Sequence, residues 1–238
     1  MTPEDAFFTL HSGLDREGPG TRESLDWAMA AAEVARDARV LDAGCGPGAD
    51  IEGLLEAVPE GQVVAMDLHQ PYIDRLASRH AVDARVLAIP DDMADPEGVF
   101  DLIWSAGSLY FLGVTEGLQA WRPHLKEGGR VAFSQLAWAV DNPSPEARSF
   151  WQSYPAMTDR DGVLQQVAAA GYRVIASRWL PEAGWDAYLQ PLAARIEALR
   201  SEAEPALQLA LDEEEKEVLL RRAHGGDYGY LQVVCEPL

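Results

Sequence analysis

The chain has 238 residues, 47% of them hydrophobic, with 39 acidic against 19 basic side chains and a net charge of −20. That length suits one large domain with a sizeable core, and the charge excludes nucleic acid and anionic membranes as partners, because phosphate groups need a basic surface. No apolar run reaches the roughly 20 residues of a bilayer span, two cysteines (Cys45 and Cys235) cannot build a disulfide framework, and the acidic N-terminus has no signal-type pattern, so a cytoplasmic location is expected.

In chain order, the first 38 residues predict two helices, 3–14 and 21–37, around the Gly-Pro-Gly loop of 16–21. Thr21 is an acceptable start for the second, with Glu23 in its first turn. From residue 39 strands and helices alternate: strand 39–43, helix 49–58, strand 61–68, helix 71–81, strand 84–88, strand 99–106, helix 113–125, the turn "KEGG", and strand 130–138. The strand segments are continuous apolar runs, as expected of a parallel sheet covered on both faces. Beyond residue 140 come helical segments at 142–155 and 159–171, a strand at 172–180, helices within 184–202 and 205–223, and a last strand at 228–237. The expected fold is a doubly wound, Rossmann-like α/β sheet of seven strands. It is mostly parallel with an antiparallel last strand, and helices cover both faces. One domain is expected: a helical cap over 1–38, a core over 39–138, and further helices and strands over 139–238.

The stretch "VLDAGCGPGAD" (40–50) holds Gly44, Gly46 and Gly48 directly after the first strand. Glycines there allow positive φ and close ligand approach, and the following helix aims free N–H groups at the same place. A plain turn needs one glycine, not three, so a ligand site is expected. Spacing alone leaves two ligand classes open, because Gly44-x-Gly46-x-x-Ala49 also satisfies the dinucleotide pattern of nicotinamide oxidoreductases.

Several segments together resemble the class I S-adenosylmethionine-dependent methyltransferases, in particular a small bacterial methyltransferase-domain subgroup. They are the glycine stretch, "VVAMDL" with Asp67, "DDMADP" (91–96), "FDLIWSAGSLYFLG" (100–113) and "WRPHLKEGGRVAFSQ" (121–135). The resemblance implies S-adenosyl-L-methionine as cofactor, no metal, and a small-molecule methyl acceptor. It places Asp42 at the methionine ammonium, Ala43, Gly44, Gly46 and Gly48 along the methionine portion, and Asp67 on both ribose hydroxyls. Leu68 and Met93 would sandwich the adenine, with Asp92 (or Asp91, one residue out of register) accepting from its amino group. Ser105 and Ala106 would leave the fourth strand beside the donor, and Arg16 and Gly18 would form a lid over its methionine end.

On the acceptor side, His11 and Tyr110 are the candidate catalytic groups. Ala106 stands where some relatives carry a glutamate, which removes one carboxylate base. The aromatics Phe7, Phe8, Trp138, Trp151, Tyr154, Trp185 and Tyr188 supply core packing, and a minority of them a π-lined pocket for a cationic or flat acceptor. A nicotinamide oxidoreductase fits less well, because the two lysines, Lys126 and Lys216, stand in no catalytic context. A non-catalytic S-adenosylmethionine-binding protein is the other alternative. A monomer or homodimer is expected.

Overall fold

The computed structural model describes residues 1–238. The strands β1 (Arg39–Ala43), β2 (Gln62–Met66), β3 (Val86–Ile89), β4 (Phe100–Ala106), β5 (Leu125–Trp138), β6 (Tyr172–Trp179) and β7 (Tyr228–Pro237) form one sheet. Their spatial order is β3-β2-β1-β4-β5-β7-β6. The first five run parallel, and β7 pairs antiparallel with both β5 and β6.

Why the strand sequences do not alternate in polarity is visible in the packing. Successive side chains of a strand point to opposite faces, and both faces here are covered. Leu41, Val64, Ile103, Val131 and Phe133 join a core with Leu118, Trp121 and Val167. These come from α5 (Val114–Trp121) and α7 (Arg160–Ala169). Their neighbours Val40, Val63, Leu102 and Ala132 join the opposite core with Leu25, Leu54 and Leu76. Those belong to α2 (Arg22–Ala31), α3 (Ile51–Ala57) and α4 (Gln70–Arg79). A third core lies where α1 (Pro3–His11), α8 (Glu182–Arg200) and α9 (Pro205–His224) meet around Trp185, Tyr188 and Tyr228. A short α6 (Pro145–Phe150) packs Ala147 against it.

Two differences from the sequence reading have local causes. Thr21 and Ser24 form a reciprocal cap: the Ser24 N–H donates to Thr21 Oγ1 at 3.1 Å and the Thr21 N–H donates to Ser24 Oγ at 2.8 Å. A serine does at this position what a glutamate usually does. The "KEGG" segment is no turn before β5 but part of it. Phe100 pairs with Leu125 and Leu102 with Arg130, so residues 126–129 bulge out with Gly128 at φ 77°. The single-domain boundaries drawn from the sequence stay an organisational proposal. No helix is long and apolar enough to cross a membrane.

Candidate functional site

The strand order reverses between β1 and β4, and in open α/β sheets ligands bind in the crevice at that switch point. The turn after β1 and the turn after β4 part there, leaving a cleft of about 250 Å³. Arg16, Gly18, Asp42, Gly44, Gly46, Asp67, Ala106 and Tyr110, all singled out from the sequence, line it. The glycine turn is pinned from below, where the N–H groups of Gly44 and Cys45 both donate to the Met66 carbonyl at 2.9 Å. Gly44, Gly46 and Gly48 all have positive φ.

Three carboxylates converge on this turn. Asp67 accepts the Gly46 N–H on one oxygen and the His69 N–H on the other, each at 2.8 Å. Each oxygen keeps a second lone pair for a ligand hydroxyl. Asp42 is buried, and desolvation pushes it well above the usual carboxylate range, with the charges of Asp50 and Asp67 adding and Arg16 opposing. Asp50 accepts the Trp104 indole N–H at 2.9 Å and an Arg16 N–H at 3.2 Å. Arg16 therefore reaches from the N-terminal loop across the cleft edge, and that loop is tied down by the Gly20 N–H on the Gly184 carbonyl at 3.1 Å.

A carboxyl whose pKa is raised by burial binds protons more tightly folded than unfolded, so it costs stability as pH rises from its unfolded toward its folded pKa. Asp42→Asn is therefore expected to raise the melting temperature of the ligand-free chain at pH 7. The rise amounts to about 2–4 °C for each kcal/mol relieved, while the affinity for a cationic ligand falls. Thermal unfolding of the two forms at pH 4 and pH 7 checks this, since the gain must shrink at the lower pH.

The remaining sequence candidates are placed differently. Ala43 and Ser105 lie fully buried beneath the cleft, where the Ser108 hydroxyl bonds the Ala43 carbonyl and the Ser105 hydroxyl, each at 2.7 Å. A side chain at Gly48 would overlap Leu76, so this glycine serves packing between the turn and α4. Leu68 is 74% exposed at the rim, whereas Met93 is buried, its carbonyl accepting the Trp121 indole N–H at 2.6 Å. The Asp92 carboxylate caps its own turn by accepting the Ala94 N–H at 2.9 Å, and Asp91 accepts the Asp92 N–H at 2.8 Å. His11 is buried off the cleft, with Nδ1 2.5 Å from Glu17 and Nε2 3.9 Å from Glu214.

Sequence reasoning missed four lining residues that matter: Glu17, Asp50, His69 and Tyr72. Tyr72 donates to Glu17 at 2.5 Å, and His69 stacks on Phe8 with ring centroids 3.5 Å apart. His69 was the most accessible of them, two residues after Asp67.

Residues 40–129 match a family described as "Methyltransferase domain". A malonyl-[acyl-carrier protein] O-methyltransferase of Salmonella typhimurium is 37% identical over 168 residues, 68% of this chain and 63% of that protein. The same enzyme of Pseudescherichia vulneris is 33% identical over 153 residues, 62% of this chain and 57% of that protein. The chain thus spans less than two thirds of the length of these curated relatives. In fold it is similar to a SAM-dependent methyltransferase from Geobacter sulfurreducens solved with S-adenosyl-L-homocysteine, with a TM-score of 0.83, 19% identity and 98% of both chains covered. The family match decides between the two ligand classes that the glycine spacing left open. On the combined evidence of domain, relatives and sheet topology, the chain belongs to the class I S-adenosylmethionine-dependent methyltransferases.

Proposed function

We propose that the chain transfers a methyl group from S-adenosylmethionine to a small-molecule acceptor by in-line displacement. The observation that carries this is the Asp67 carboxylate, held by two backbone N–H groups beside the glycine turn with lone pairs to spare. The cleft fits the ligand's charge: four carboxylates line it (Glu17, Asp42, Asp50 and Asp67) against one arginine already paired with Asp50. Such a lining favours a molecule carrying a sulfonium and an ammonium. When bound, that sulfonium supplies an activated methyl group, whose bond to sulfur breaks as an acceptor lone pair forms the new one and the electron pair returns to sulfur.

The residues of the chain do the rest by position. Asp67 holds the ribose, Asp42 faces the ammonium, and the Arg16–Asp50–Trp104 chain of bonds shuts the methionine end. Alignment and exclusion of water supply the rate, since the effective molarity of well-oriented reactants contributes several kcal/mol. Asp92 is proposed to meet the adenine through its free carboxylate oxygen, and exposed Leu68 to cover one face of the ring.

S-adenosylhomocysteine at about 100 times its dissociation constant adds roughly 2.7 kcal/mol to stability, or about 5–10 °C in a chain of this size. NAD at the same concentration is expected to add nothing. Equal shifts with both, or with neither, refute the proposed donor. Transfer of labelled methyl to a metabolite panel separates an enzyme from a non-catalytic binder of the same ligand.

A further inference from the structure

Four carboxylates line the cleft, and the proposed donor gives work to three: Asp67 at the ribose, Asp42 at the ammonium, and Asp50 in the pair with Arg16. Glu17 is left, and its place is specific. It comes from the N-terminal loop and stands against the glycine turn, its Cγ 3.5 Å from where a β-carbon on Gly46 would lie. Its carboxylate accepts the Tyr72 hydroxyl at 2.5 Å. Tyr72 bonds back to the carbonyl of His69, the residue whose N–H holds Asp67, so this contact marks the ribose end. Arg16, its neighbour in the chain, bonds Asp50 at the methionine end. Glu17 therefore falls between the two ends.

In S-adenosylmethionine the atom between ribose and methionine chain is the sulfonium sulfur. We infer that, given the methyltransferase reading, Glu17 is the counter-charge of that sulfonium, so that the cleft holds the cationic donor more tightly than its neutral product. Transfer of the methyl group removes the positive charge and leaves the carboxylate in place. The attraction, worth more in a half-enclosed cleft than in water, is thus lost at the stage where the product must leave.

The groups packed around Glu17 keep a negative charge there. His11 of α1 lies with Nδ1 2.5 Å from Glu17, and its Nε2 is 3.9 Å from Glu214 of α9. Burial pushes Glu214 above the usual carboxylate range, which the charge of His11 opposes and those of Glu17 and Glu213 reinforce. A proton on Nε2 leaves both carboxylates ionised around an imidazolium. The same proton on Glu214 leaves His11 neutral, and Nδ1–H donates to Glu17 in either case. Both arrangements give the three groups one net negative charge. Burial, then the bond to Glu17, raise Tyr72, and burial raises Tyr188 of α8, so both stay neutral. His69 stacks on Phe8 and meets the Tyr72 ring edge-on at 4.6 Å. The nearby cations are committed elsewhere: Arg16 to Asp50, Arg195 of α8 to the Thr9 and Leu10 carbonyls, and Arg75 of α4 to the Tyr72 ring.

Calorimetric titration without an acceptor reads the preference directly. S-adenosylmethionine is expected to bind the parent chain about ten-fold more tightly than S-adenosylhomocysteine. Sinefungin, which carries an ammonium in place of the sulfonium, is expected to follow the donor. Glu17→Gln keeps the shape and removes the charge, and is expected to bring the preference to within about three-fold. Its affinity for S-adenosylhomocysteine is expected to change by less than about three-fold, which shows that the cleft is still folded. Glu17→Met, uncharged and of similar size, gives the same reading should the amide variant fail to fold. Equal binding of donor and product by the parent, an undiminished preference in the variant, or an equal loss of both ligands overturns the inference and leaves the donor reading standing. Absence of heat with all three ligands overturns the donor reading, and the inference falls with it.

Discussion

Asp67→Ala is expected to lower the affinity for S-adenosylhomocysteine about 100-fold or more, the largest loss from any single side chain of the cleft. Two hydrogen bonds to an ionised group contribute about 1.5–3 kcal/mol each, and each factor of ten is about 1.4 kcal/mol. The variant loses more than a ligand contact. The Gly46 and His69 N–H groups, now bonded to Asp67 at 2.8 Å, are left to water or to nothing, and the glycine turn loses its brace to β2. Asp67→Asn is the finer probe, because it keeps the shape and one acceptor oxygen while turning a donor toward one of those N–H groups. It is expected to fall between parent and alanine. Calorimetry with S-adenosylhomocysteine reads all three, and an alanine variant within about three-fold of the parent removes the ribose from this position.

Much of this arrangement was legible in the sequence because it is local. The end of β1, the glycine turn and Asp67 are specified by short segments whose residue types have few other uses. The strands were readable for the same reason: Val40–Leu41, Val63–Val64 and Leu102–Ile103 are consecutive apolar pairs that only a sheet covered on both faces can bury. The "KEGG" segment misled because glycine pairs mark turns more often than bulges, and pairing between Phe100 and Leu125 depends on a strand remote in sequence.

The illegible part of the site is made of contacts between distant residues. Glu17 meets Tyr72 across 55 positions, and Asp50 meets Trp104 across 54. Nothing in "LDEEEKEV" distinguishes Glu214, which faces the buried His11, from Glu213 and Glu215, which pair at the surface with Lys216 and Arg200. An acidic run on a helix is a solvated face by default, and only the packing of α9 on α1 and α8 turns Glu214 inward. His11 illustrates the converse. Its residue type suggests chemistry, while the structure buries it off the cleft between Glu17 and Glu214.

The two glycines of the turn that line the cleft can be ranked by the same reasoning, and Gly44→Ala is expected to be more damaging to stability than Gly46→Ala. At φ 72° a β-carbon costs about 1–2 kcal/mol of backbone strain. That carbon would also overlap the Ser108 side chain and lie 3.3 Å from the Met93 sulfur. Ser108 has no room to yield, since its hydroxyl is buried and bonded to both the Ala43 carbonyl and Ser105, so overpacking adds about 1–3 kcal/mol. A total of about 3 kcal/mol corresponds to a fall of about 6–12 °C in melting temperature. Gly46→Ala is the contrast: φ is 51°, and the new carbon would meet only Glu17 Cγ at an ordinary 3.5 Å. It is expected to cost about 1 kcal/mol, strain alone. Adding Ser108→Gly to Gly44→Ala removes the overlap and is expected to restore part of the loss beyond what the single substitutions sum to. Such coupling is the signature of direct contact. If the two substitutions prove additive in thermal unfolding, the demand for glycine at residue 44 comes from the ligand side of the turn and not from the serine pair beneath it.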